Sequence, residues 1–282
     1  MKARLLFILF ASGIIICAWL DPFGFFISEP PVPNWPLSAE SRHKLIHVAE
    51  EDRRPGSNED QHLPHLWPVV ATAGHTGGDK WIREHEQLVE QVQARLGPVD
   101  VLLVGDSITK YWRDAWTEEF PETSSINIGI GGDKTQNVLW RLQHAAVDGL
   151  EPRVILLMVG NNNMFLTPKT GIDAASEGIR LCVNDLHKRF PNGQLILANI
   201  LPGHEPGNRF YEDIKRTNAR LDSYNLSSEP NIHRLDLWAS FTNSNGDLKS
   251  DLYLADRVHL SRRGYEVYAA QLRPRLKQLL VL

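Results

Sequence analysis

Cysteine is nearly absent from this chain: Cys17 and Cys182 are its only two, too few for a disulfide scaffold or a multi-cysteine zinc centre. Positive charge is not in excess either. Thirty Lys+Arg oppose 34 Asp+Glu, for a formal net charge of −4. The basic footprint of a nucleic-acid binder is therefore missing, and no nucleic-acid partner is expected. Long apolar stretches are lacking beyond a single N-terminal run, which excludes a polytopic membrane protein. What is present is the composition of an ordinary globular protein, 42 % apolar and 23 % charged over 282 residues. At about 150 residues per domain this length suggests about two domains, and one α/β domain with a tail fits as well.

The N-terminal run has a polarity. Lys2 and Arg4 precede Leu5 to Leu20, interrupted by Ser12 and Gly13; Asp21-Pro22 ends it and a second patch, Phe23 to Ile27, follows. The run falls short of the roughly 20 residues that span hydrocarbon, yet exceeds a signal-peptide core of about 7–15. No A-x-A cleavage pattern follows, and Ile16 before Cys17 is not the small residue that lipidation requires. Residues 1–27 are read as a signal-anchor, with a cleaved signal peptide as the alternative. Either places the basic end in the cytoplasm and the remainder outside it, tethered to the membrane or secreted. Residues 28–78 read as a linker: Pro30, Pro31, Pro33 and Pro36 favour an extended spacer, and Gly74, Gly77 and Gly78 close it. His43 with His47, or Glu59 with His62 and His65, have metal-ligand spacing if helical. Solvated histidines in a tail are the favoured reading, so no metal is expected.

From Asp79 the texture changes. Asp79 is placed as the cap of a helix in which Trp81, Ile82, His85, Leu88, Val89 and Val92 recur at helical spacing, closing at Gly97-Pro98. Short apolar runs follow at Val99–Val104, Ser125–Ile128, Val154–Val159, Gln194–Ile200 and Ile232–Leu237. Helical patterns lie between and after them, near Ile108–Glu118, Thr135–Val147, Ile172–Arg189, Tyr211–Leu226 and Arg263–Leu280. Strands separated by helices imply βαβ units, right-handed crossovers and a parallel sheet covered on both faces. Functional residues in such sheets belong just beyond the carboxyl ends of the strands.

Four segments meet that condition: Gly105-Asp106-Ser107, the stretch Asn127 to Asp133 with its glycines, Gly160-Asn161-Asn162-Asn163, and Asp256-Arg257-Val258-His259-Leu260. A serine hydroxyl is a weak nucleophile and needs a base beside it. His259 is the candidate base, and Asp256 the candidate that orients its imidazole. Acyl transfer also places negative charge on a carbonyl oxygen, for which the N–H groups of Ser107 and Gly132 and the Asn162 amide are candidate donors. Each segment alone is an ordinary turn, cap or loop. Their order after successive strands is what points to acyl-transfer chemistry.

This set resembles the SGNH (GDSL-type) hydrolases. The resemblance places the family's nucleophile and first oxyanion donor on Ser107, its second donor on Gly132, its asparagine on Asn162 and its Asp-x-x-His pair on Asp256 and His259. Val101–Trp112 and Asn127–Leu142 (NIGIGGDKTQNVLWRL) look especially like the catalytic subunits of intracellular platelet-activating-factor acetylhydrolases. The likeness covers about residues 79–282. Departures exist: Ile108-Thr109 follow Ser107 in place of the extended motif, and Asn163 stands where many members have aspartate.

The fold class expected is thus α/β, a three-layer α/β/α flavodoxin-like arrangement with a five-stranded parallel sheet. The activity expected is a serine esterase cleaving short-chain, acetyl-type esters by an acyl-enzyme, with no cofactor. Its substrate would be a small-molecule, glycan or lipid acyl ester. Thioester hydrolysis, acyl transfer to another acceptor, or a non-catalytic tethered binding module are the alternatives, and an oligomer is left open. A phosphate-loop reading of Gly129–Thr135 fails on Ile128 and Asp133, which occupy required glycine positions. Trp112, Trp116 and Trp140 are expected in the core.

Overall fold

The computed structural model describes residues 78–165, 168–224 and 229–281, together with a short antiparallel pair, Phe10–Ala11 against Ile14–Ile15. Apart from that pair and Gly78, the segments read as anchor and linker, with His43, His47, Glu59, His62 and His65, lie outside the described residues. Among the described residues no helix is long and apolar enough to cross a membrane.

Five strands form one parallel sheet: β1 (Gly97–Gly105), β2 (Ser125–Asn127), β3 (Leu150–Met158), β4 (Gln194–Ala198) and β5 (Ile232–Leu235). Their order is β2-β1-β3-β4-β5, the flavodoxin-like order. Register is set by apolar residues that alternate between the faces. Leu102 pairs with Ile126 and Ile155, and Leu103 with Asn127 and Leu156. Leu102, Val104, Ile155 and Leu157 enter the core on one face. Val101, Leu103, Val154, Leu156 and Met158 enter the core on the other. A strand buried on both sides reads as a continuous apolar run for this reason.

Helices α1 (Gly78–Gln93), α4 (Thr135–Gln143), α5 (Pro168–Arg189) and α6 (Arg209–Ser223) cover the first face. Helices α2 (Ser107–Tyr111), α3 (Arg113–Glu119), α7 (Trp238–Phe241) and α8 (Arg262–Leu280) belong to the second. Three layers result. The periodic apolar residues of α1 do face inward: Trp81, Ile82, Leu88, Val89 and Val92 are all buried. Trp112 and Trp116 are core residues, and Trp140 packs against the core half-buried.

Element boundaries differ from the sequence reading at informative places. α1 starts at Gly78, so Asp79 lies inside it rather than capping it. The single helix expected over Ile108–Glu118 is two, joined at Trp112, whose ring is buried with its centroid 4.4 Å from that of Tyr268 and 5.1 Å from that of Trp116. α4 ends early because Ala145 takes a left-handed φ of 65° to turn the chain toward β3. β5 stops at Leu235, where Asp236 accepts the Trp238 N–H at 2.9 Å and starts α7. α6 begins ahead of its expected start because the Asn208 side chain accepts the Phe210 N–H.

Candidate active site

The end of β1 delivers the serine. Gly105 is required there, since a Cβ would lie 2.2 Å from both the Met158 carbonyl oxygen and Thr109 Oγ1. The Asp106 carboxylate turns back and accepts the Ile108 N–H at 3.0 Å, capping α2. Ser107 is thus the first residue of a helix, where backbone N–H groups have no intrahelical acceptor.

The segment after β2 crosses over that serine. Its backbone continues to bond β1, Ile128 N–H to the Leu103 carbonyl and Ile130 N–H to the Gly105 carbonyl. Gly129 passes so close to α2 that a Cβ would sit 2.5 Å from the Lys110 nitrogen. A Cβ on Gly131 would lie 3.8 Å from Ser107 Cβ, which places the glycine run against the serine. Gly132 has φ +82°, a left-handed conformation that glycine adopts without strain. Asp133, which breaks the phosphate-loop pattern, turns its carboxylate beneath the loop. There it accepts from Trp81 Nε1 at 2.7 Å and from Arg141 Nε at 2.8 Å.

β3 feeds a short 3-10 turn, Asn161–Phe165. Asn162 Nδ2 donates to the Asp133 carbonyl at 2.9 Å, and its amide carries a second N–H. Asn163 fills the position of the usual aspartate by accepting the Thr135 N–H at 3.0 Å, at the start of α4. Its amide also donates to Thr135 Oγ1 and Gln136 Oε1, both at 3.2 Å.

The loop before α8 completes the constellation. His259 Nε2 lies 2.9 Å from Ser107 Oγ. His259 Nδ1 lies 2.6 Å from Asp256 Oδ2, while Asp256 Oδ1 accepts the backbone N–H groups of Val258 and His259. With the proton on Nδ1 donated to the carboxylate, Nε2 is left to accept from the serine hydroxyl. The loop is braced from several sides. Arg257, at φ 58°, ion-pairs with Glu205, and its carbonyl accepts the His204 N–H. The exposed Tyr111 ring meets the His259 ring edge-on, 5.4 Å between centroids.

Two acidic environments contrast. Partial burial pushes the Asp256 carboxyl up, but hydrogen bonds from the His259 ring and the Val258 and His259 N–H groups outweigh it and hold the group below the ordinary range. Burial, joined by the charge of Asp133, pushes Asp106 up to about 7. Asp133 is likewise raised by burial, to about 6, against the downward pull of Arg141 and the Trp81 donor.

Of the five sequence-predicted residues, Ser107, His259 and Asp256 stand in hydrogen-bonded series, Gly132 follows the glycine that lies beside Ser107, and Asn162 is bonded to the carbonyl of the next residue, Asp133. The sequence reading missed Trp81, Asp133, Arg141 and Tyr111. For Arg141 a signal existed. It shares a helix face with Val138 and Leu142, where a charge demands a buried partner.

The doubly wound parallel sheet thus carries a hydrogen-bonded serine–imidazole–carboxylate series at its carboxyl edge. The sequence profile of the GDSL-like lipase/acylhydrolase family matches residues 103–267, and the chain belongs to that family as a carboxylic ester hydrolase. It is 30% identical over 207 residues to platelet-activating factor acetylhydrolase IB subunit alpha1 of Bos taurus, covering 72% of this chain and 85% of that one. It is also 30% identical over 228 residues to the alpha2 subunit of Rattus norvegicus, covering 80% and 93%. Among solved structures, a GDSL-like lipase from Bacteroides thetaiotaomicron shares the fold with a TM-score of 0.57. That match has 21% identity and covers 69% of this chain and 97% of that one.

Proposed function

We propose that the protein is a serine esterase that cleaves short-chain acyl esters, acetyl esters first, through an acyl-enzyme on Ser107. Ser107 Oγ bonds to the ester carbonyl carbon while its proton passes to His259 Nε2. The carbonyl oxygen becomes an oxyanion and takes hydrogen bonds from the N–H groups of Ser107 and Gly132 and from Asn162 Nδ2. The bond to the leaving alcohol then breaks, and His259 returns the proton to the departing oxygen. Water enters, loses a proton to Nε2, attacks the acyl carbon and releases the acid, and Ser107 recovers its proton. Asp256 stays ionised throughout and holds the imidazole in the tautomer that accepts from Ser107.

One observation carries the reading: the unbroken series from Ser107 Oγ to His259 Nε2 at 2.9 Å and from His259 Nδ1 to Asp256 Oδ2 at 2.6 Å. Acetyl preference is supported by the names of the relatives, which are acetylhydrolases. The test is hydrolysis of p-nitrophenyl acetate, butyrate and octanoate, with Ser107→Ala alongside. Rates should fall with chain length and vanish in the variant; a preference for octanoate overturns the short-acyl assignment. We also propose export and membrane tethering through Lys2, Arg4 and the run Leu5–Leu20. Recovery of the full chain from the cytoplasmic soluble fraction overturns that.

A further inference from the structure

We infer that a buried array of Arg141, Asp133 and Trp81 is the positioning device of the oxyanion cradle, and that α1 is thereby part of the active site. The inference rests on the esterase reading above. The Asp133 N–H closes a turn onto the Ile130 carbonyl, and the Gly132 N–H lies inside that turn, so whatever holds Asp133 holds the turn that carries it. Asp133 is held on every side. Its N–H donates to the Ile130 carbonyl, its carbonyl accepts from Asn162 Nδ2, and its two carboxylate oxygens accept from Trp81 and Arg141.

The guanidinium does more than neutralise the acid. Arg141 Nη1 donates to the Ile128 carbonyl at 2.8 Å and Nη2 to the Gly105 carbonyl at 3.4 Å. One rigid fork thus ties the strand end before Ser107, the strand end before the glycine run, and the residue after Gly132. Both the Arg141 and Asp133 side chains are 0% exposed.

Stability alone does not account for such an array. Burying an ion pair carries a desolvation cost that its attraction often fails to repay, and packed apolar residues in its place are often as stable or more so. The surroundings would suit them: Trp81, Ile82, Val138 and Leu142 are core residues. Geometry does account for it, because oxyanion donors act only when fixed to within about 0.5 Å. The substitutable member is Trp81, which lies on α1, ahead of the span that the family profile matches.

The test uses the full chain with Trp81→Phe, Arg141→Lys and Ser107→Ala, measuring kcat and KM for p-nitrophenyl acetate per folded molecule. Trifluoroacetone, which closes on the serine as a tetrahedral oxyanion, and acetate serve as competitive inhibitors. Trp81→Phe should lose about tenfold in kcat and Arg141→Lys about 100-fold, as expected for small misplacement of a catalytic group. KM should stay within about twofold, trifluoroacetone affinity should fall in step with kcat, and acetate affinity should not change. Normal kcat in folded Trp81→Phe, or a loss seen only in KM or in the folded fraction, overturns the inference. Hydrogen exchange in the unaltered protein gives a reading without any variant. Amides of residues 129–133 should exchange slowly, and exchange as fast as in an exposed loop overturns it too. Activity surviving in Ser107→Ala would instead sink the esterase reading itself, whereas an inactive Ser107→Ala beside a normal Trp81→Phe sinks only the positioning role.

Discussion

Asp256 holds His259 twice: one carboxylate oxygen faces the ring Nδ1 at 2.6 Å and the other accepts the same residue's backbone N–H at 2.9 Å. Ring orientation and loop conformation are thereby coupled in a single side chain. Asp256→Asn keeps an oxygen for the backbone but can present an N–H to Nδ1, favouring the wrong tautomer. Turnover of p-nitrophenyl acetate is expected to fall by about 10⁴-fold, the size seen when a serine-protease triad loses its aspartate. Far-UV circular dichroism should be unchanged. Near-normal turnover would remove Asp256 from the mechanism.

Asn162 donates one amide N–H to the Asp133 carbonyl and carries a second N–H on the same nitrogen. Asn162→Ala is expected to lower kcat by about 10²–10³-fold, the effect of deleting one oxyanion donor. KM should move little, because the donor acts most strongly on the charge that develops in the transition state. A rise in KM at constant kcat would show that Asn162 binds ground-state substrate instead.

Asp106 gives a pH signature in stability. Its folded-state carboxyl, pushed up by burial to about 7, lies well above the unfolded value of about 3.9. Between these values the folded chain holds a proton that the unfolded chain has lost, so stability falls as pH rises across the window. Asp133, raised to about 6, contributes with the same sign. Asp106→Asn keeps an acceptor for the Ile108 N–H and removes one titration. The difference in Tm, variant minus wild type, should therefore grow between pH 4 and pH 8. A constant difference over that range would show that Asp106 does not titrate there.

A boundary prediction concerns α1. A chain beginning at residue 78 is expected to be soluble and active, since it keeps the whole of α1 and the sheet. A chain beginning at residue 97 loses Trp81, Ile82, Leu88, Val89 and Val92, all buried. Removing one large core side chain costs about 3–5 kcal/mol, against a total stability of about 5–15 kcal/mol. The shorter chain should therefore aggregate or unfold, as judged by size-exclusion chromatography and near-UV dichroism. Equal activity of the two chains would detach α1 from both the core and the cradle.

Sequence alone determined the layering and the place of the site. Apolar runs such as Val99–Val104 and Val154–Val159, alternating with helical patterns, read as inner parallel strands, and a parallel sheet puts its functional loops at the carboxyl ends. Ser107, Gly132, Asn162, Asp256 and His259 were legible because each lies in a short pattern of chemically specific residues at such an end. Tertiary structure alone decided the rest. The helix break at Trp112 depends on Tyr265 and Tyr268, distant in the chain, receiving its ring. Asn163 serves in place of aspartate because its Oδ1 meets the Thr135 N–H across two loops. The pairing of Arg141 with Asp133 and Trp81 could not be read locally, since a buried charge announces that it needs partners but not where they are. Asp133 lies only eight residues before Arg141, but Trp81 lies 52 residues before Asp133, and a partner that distant is chosen by packing, which is a property of the folded chain.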